Sequence, residues 1–277
     1  MSVPSVFVMS AISAALFVSP SVRAQPSTGV DAASLVRSAD FVGVVLAQVT
    51  TTDLVAGEQG VQLYRVDPIK GRIPKTNGTP PYPWVSGKST RNPSRPTQYV
   101  AKGYYLVFLQ RGSELTGNRW PTLACYRIEY RPDASGRIVG RLAGLPQPAA
   151  NADLATVRGL LKLVIAGGPS AAAAAVKLNA TLESAALASH QEPKTHEEQI
   201  ALAKPLAASI RVGTLRSDVE KVFLQQDGGL SGPRETRYYM GYEVMVAVPY
   251  DQTGGNWKPT NRVTGPLRVY RSGMAFD

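Results

Sequence analysis

The run Gly-Tyr-Tyr-Leu-Val-Phe-Leu at 103–109, inside "GYYLVFLQRG", constrains this chain more than any other segment. It is too short for a typical helix, rich in aromatic and β-branched residues, and apolar at every position rather than every second one. That pattern belongs to a strand in the middle of a sheet. Other segments supply its neighbours. "ADFVGVVLAQVT" (39–50) is a second apolar, β-branched run, and "GVQLYRVDPIKG" (60–71) is a strand whose exit is marked by Pro68 and Gly71. "LACYRIEYRPDASGRIVGRL" (123–142) reads as a strand, a turn at Asp133 to Gly136 and a return strand. A short helix from Ser34 to Arg37 precedes the first of these strands.

Helices follow. Leu154, Val157, Leu160, Leu161 and Val164 fall at helical spacing, with Asn151 or Asp153 available as a cap and Gly167-Gly168 as a stop. Residues 169–204 change character. The Ala-rich "SAAAAAVKLNATLESAALASH" offers few large anchors, so it is expected to connect rather than to form a core. A second short helix between Pro193 and Pro205 is expected beyond it.

"GTLRSDVEKVFLQQDGGL" (213–230) then raises a question of chemistry, because it gathers Asp218, Glu220 and Asp227 beside a Gly pair. Each residue has an architectural reading. Thr214 reads as the N-cap of a helix, its hydroxyl accepting a free amide proton of the first turn. Val219, Val222 and Phe223 share one face, with Asp218 and Glu220 standing off it in solvent near the positive end of the dipole. Gly228 and Gly229 end the helix. Residues 236–251 and 261–273 read as strands, separated by a turn-rich loop.

At the other end, an apolar run from Val6 to Val18 and the sequence "VRAQ" read as a secretory signal peptide (1–24) cut after Ala24. Its removal takes away Arg23 and lowers the net charge from +10 to +9. A basic chain outside the cytoplasm is expected to meet anionic envelope polymers, lipid headgroups or an acidic protein. No later stretch is long and apolar enough for an integral span, and the single cysteine, Cys125, reads as a buried thiol on a strand.

Catalytic and metal-binding patterns are weak. His190 and His196 are the only histidines; their spacing and the intervening Pro193 do not build a zinc site with Glu192, Glu197 or Glu198. The sequence has no G-x-S-x-G, P-loop, dinucleotide fingerprint or EF-hand loop. The reading is therefore non-enzymatic, with no catalytic residue, metal or cofactor. The binding candidate is the segment 69–102. It carries Lys70, Arg72, Lys75, Lys88, Arg91, Arg95 and Lys102 without an acid, interleaved with Tyr82, Trp84 and Tyr99 and studded with prolines. Aromatic faces beside cations can stack on sugars or bases and hold anions. Lys75, Tyr82, Trp84, Lys88, Arg91 and Arg95 are its proposed contacts.

Two resemblances accompany these readings. Residues 38–165, through "SADFVGVV", "IKG" at Ile69 to Gly71, "GYYLVFL" and the closing helix, resemble the netrin and metalloproteinase-inhibitor-like modules of bacterial exported proteins. That resemblance implies an OB-type β-barrel with a closing helix. Those inhibitors chelate a protease zinc through a free N-terminal cysteine; a mature chain beginning at Gln25 could not. Residues 210–277, through "RVGTLRSDVEKVF", "DGGL", "TRYYMGYEVMVAVPYD" and "NRVTGPLRVY", resemble the helix-then-sheet module of small outer-membrane assembly lipoproteins and β-lactamase inhibitory proteins, which bind proteins; the resemblance implies that Gly213 and Thr214 set up the helix. The combined expectation is a β-rich α+β chain: signal peptide 1–24, OB/netrin-like domain 30–168, Ala-rich helical connector 169–204 and small helix–sheet domain 205–277. Its expected role is recognition of a protein or envelope component, in the periplasm or after secretion. The alternative is binding of an anionic polymer, glycan or nucleic acid, through 69–102.

Overall fold

The computed structural model describes residues 31–53, 57–77, 81–88, 97–99, 102–113, 119–143, 153–187, 196–223, 235–239, 244–251 and 258–271. The segment 103–109 is strand β4 (Gly103–Leu109), and every one of its residues is buried. The reason is that the sheet around it is covered on both faces. Tyr104, Leu106 and Phe108 point into one core and Tyr105, Val107 and Leu109 into another. The neighbours of β4 are β1 (Phe41–Asp53) and β5 (Trp120–Pro132), both antiparallel to it. Beyond β1 come β2 (Glu58–Lys70) and β3 (Val85–Lys88); beyond β5 comes β6 (Ile138–Leu142).

This arrangement corrects the OB-type barrel. The strands form a six-stranded mixed sheet in the order β3-β2-β1-β4-β5-β6. The sheet rolls far enough for β3 to touch β5, but the parallel contact covers only Val85 with Trp120 and Ser86 with Pro121. From Ile128 onward, β5 pairs with β6 instead. The tight turn held by Asp133, whose carboxylate accepts from the Ser135 and Arg137 amides at 2.9 and 3.0 Å, directs the chain back along β5 and adds a sixth strand.

One face of the sheet carries helices α1 (Ala32–Ser38), α2 (Leu154–Ala166) and α3 (Pro169–Leu187). Asp153 is the α2 N-cap and accepts from the Ala155 amide at 3.1 Å; Gly167, at φ +72°, follows the helix. The Ala-rich stretch is more than a connector. Ala174, Leu178 and Leu182 of α3 are buried in the same core as β4, and its Asn179 side chain accepts from the Ala32 amide at 2.6 Å. Small side chains let α3 lie close to α1 and α2. The opposite face encloses Phe41, Val45, Leu63, Tyr99, Tyr105, Trp120 and Cys125.

The rest of the described chain builds a third core. Helices α4 (His196–Ser209) and α5 (Arg216–Val222) join a three-stranded antiparallel sheet, β7-β8-β9, made of β7 (Glu235–Tyr239), β8 (Val244–Pro249) and β9 (Arg268–Arg271). α4 runs through Pro205 rather than stopping there. Proline removes the amide that would reach the Ala201 carbonyl; both residues are exposed, so water can satisfy that oxygen. Among the described residues no helix is long and apolar enough to cross a membrane.

Candidate functional site

The structure divides the basic segment 69–102 into working parts. Lys70 is architectural: its Nζ donates to the Val36 and Ala39 carbonyls at 2.7 and 2.5 Å, closing the C-terminal end of α1. Lys102 lies 4.9 Å from the centre of the Tyr64 ring. Tyr99 is a core residue rather than a surface aromatic. It is fully buried, its amide and carbonyl are paired at 2.9 Å with the Gln59 side chain, and its hydroxyl lies 3.0 Å from Thr122 Oγ1. Gln59, itself buried, thus gives Tyr99 the two bonds that a neighbouring strand would supply.

Strand β3 passed unnoticed in the sequence because it is four residues long and embedded among prolines. It orders the rest of the segment. Val85 and Gly87 point inward, so Trp84, Ser86 and Lys88 share the outer side. Trp84 is 40% exposed, unusual for the largest apolar side chain. Lys88 is exposed and Tyr82 half-buried against the inner core. A Thr76 amide to Pro81 carbonyl bond of 2.9 Å folds the loop so that exposed Lys75 lies on the same excursion as Tyr82. Arg91 and Arg95 lie outside the described residues.

A second cluster is centred on α5. The helix is capped differently from expectation. Its N-cap is Leu215, with no side-chain cap bond, and Thr214 lies one residue earlier. The first free amides are satisfied by backbone instead: Arg216 N donates to Asn261 O at 2.7 Å and Ser217 N to Pro259 O at 3.1 Å. A hydroxyl cap is redundant when a loop carbonyl already takes those protons. Gly213, at φ +89°, donates its amide to Val263 O at 2.8 Å. Gly228 and Gly229 lie outside the described residues.

The two carboxylates of α5 also differ from the solvated pair read in the sequence. Asp218 accepts from Lys221 Nζ at 2.7 Å, with both side chains about a third exposed. Glu220 is only 16% exposed. Its Oε1 lies 2.8 Å from Nε of Arg216, itself 7% exposed, and its Oε2 lies 3.2 Å from Arg65 Nη2 on β2. Arg65 Nη1 in turn donates to the Tyr104 hydroxyl at 3.3 Å. Burial opposes the charge on Arg65, but Tyr104 and Glu220 outweigh it and leave its pKa raised. Arg216 also lies 5.6 Å from the Tyr250 ring centre, and the Tyr250 hydroxyl meets that of Tyr238 at 2.9 Å. Burial, the largest cause, pushes the Tyr238 phenol up to about 12 and the Tyr250 phenol higher still.

One signal for this cluster was available in the sequence: Arg216 and Glu220 are four apart, the spacing of a helical ion pair. Nothing local marks Arg65, 155 residues away from Glu220. Cys125 is buried, its thiol donating to Gln98 O at 3.3 Å, and burial raises its pKa far above the usual thiol range. Among the described residues, no three His, Cys, Asp or Glu side chains converge in a way that could hold a metal ion. His190 lies outside the described residues.

Comparison with family models, curated proteins and solved structures gave no match. Neither the netrin-like nor the assembly-lipoprotein resemblance therefore has support from known proteins, and the first also fails on its barrel.

Proposed function

We propose that this is an exported, non-enzymatic binding protein of the bacterial envelope, recognising a protein or envelope component through the outer side of β3. The observation that carries this reading is Trp84. It sits in line with Ser86 and Lys88, 40% exposed, beside a core that buries Tyr99, Tyr105 and Trp120. An exposed tryptophan beside a cation offers a large rigid contact with low ordering cost, the composition of an interface anchor. The leader read at residues 1–24 supplies the compartment.

A test is capture from an envelope extract by the mature chain, compared with its Trp84→Ala variant at matched far-UV circular dichroism. Capture reduced about tenfold or more in the variant is the expected result for an anchor residue; equal capture would move the function off this surface. Exposed Arg72, Lys75 and Lys88 favour the second reading, an anionic polymer. In that case capture falls steeply as salt is raised, whereas an anchor dominated by Trp84 tolerates salt.

A further inference from the structure

Helices α4 and α5 bring the third core against β5 of the large sheet. Arg65 of β2 reaches Glu220 of α5. The Arg211 guanidinium lies so close to the Asp133–Gly136 turn that a Cβ on Gly136 would meet it at 2.8 Å. Among the described residues, the large sheet supplies one apolar side chain to the third core, the partly buried Ile138. Polar joints with few shared apolar contacts are the kind across which domains move.

The two bonds of Glu220 are unequal. The bond to Arg216 lies within one helix, and that guanidinium is 7% exposed. The bond to Arg65 spans the two units, and the Arg65 side chain is 54% exposed. Mobile ions therefore reach the Arg65 side of the carboxylate and screen it, while the Arg216 side is shielded. We infer that Glu220 is the fixed half of a salt-sensitive latch: Arg216 holds it in place, Arg65 closes on it reversibly, and the C-terminal unit undocks from the sheet as ionic strength rises. Undocking uncovers Arg65, Tyr104 and Ile138 together. This inference does not depend on what the β3 surface binds.

The test uses the mature chain carrying Ile138→Cys and alkylation by iodoacetamide, an uncharged reagent whose approach to a basic protein is indifferent to salt. Peptide mass spectrometry separates the new thiol from buried Cys125. The latch predicts that alkylation at position 138 rises about fivefold or more between about 20 and 500 mM NaCl, a range over which screening shortens from roughly 20 Å to under 5 Å. Adding Arg65→Met should give the fast rate already at low salt. Equal rates at both salt concentrations in the chain that keeps Arg65, or a low-salt rate that Arg65→Met leaves unchanged, would overturn it. Should Arg65→Met fail to fold by circular dichroism, the salt response of the Ile138→Cys chain alone decides.

Discussion

Helices α2 and α5 both lie against the large sheet, and they are attached by different forces. α2 turns Leu154, Val157 and Leu161 into the core shared with β4, and its exposed Lys162 and Leu163 face away. α5 gives Val219, and Phe223 at its C-cap, to the other core and meets the sheet with Glu220. The first attachment rests on apolar area, which is non-directional and insensitive to salt. The second rests on a few charged hydrogen bonds, which fix orientation but contribute little net stability once desolvation is counted. The same sheet therefore carries one helix as part of its core and another as an attached neighbour.

The largest effect should come from the apolar side. Leu161→Ala removes a fully buried side chain and should cost about 3 kcal/mol, read from urea unfolding and unchanged by salt. A loss that shrinks in high salt would blur the distinction. Next comes Glu220→Gln. Buried Arg216 loses its carboxylate, and the cost should be about 2 kcal/mol, falling on the C-terminal unit. Denaturation that leaves β8 as stable as before would remove Glu220 from the architecture.

Alkali offers a third handle. The folded pKa of Tyr238 is raised from 10.0 to about 12, and that of Tyr250 is raised further. The fold favours the protonated phenols, so their contribution to stability is complete below pH 10; the Tyr238 share is lost as pH rises through about 12, and the Tyr250 share goes on falling above it. Replacing both with Phe should flatten the decline in C-terminal stability across that window. A decline as steep as in the parent would mean other groups carry it. The smallest effects belong to Asp218→Asn and Thr214→Ala, each under about 0.5 kcal/mol in the same urea experiment. Asp218 is about a third exposed and paired with Lys221 on its own helix, and backbone carbonyls take the amide protons that a Thr214 cap would have taken. A cost above 1 kcal/mol for Thr214→Ala, the ordinary loss on removing a cap, would reinstate its hydroxyl.

Local rules in the sequence were good guides where neighbours in sequence are also neighbours in space. β4 follows from its unbroken apolar run, the α2 cap from Asp153 and the hairpin from Asp133 to Gly136. They missed what depends on distant partners. Tyr99 looks like a surface aromatic until Gln59 pairs its backbone, and Lys70 looks like a binding cation until the end of α1 takes its protons. Glu220 reads as solvated because one of its two partners, Arg65, comes from a strand 155 residues away. The barrel failed for a similar reason: strand content was legible, but the number of strands and the extent of the β3–β5 contact depend on a turn and on a strand of four residues.

The separation between an apolar-cored sheet and a charge-attached C-terminal unit is tested most directly by native-state hydrogen exchange. Amides of Leu106 to Phe108 in β4 and of Val244 to Val248 in β8 should exchange through different openings, β8 at the lower free energy. Glu220→Gln should accelerate β8 and leave β4 unchanged. If β4 and β8 exchange together in the parent, and Glu220→Gln accelerates both equally, the molecule is one cooperative unit and the distinction between its two attachments is wrong.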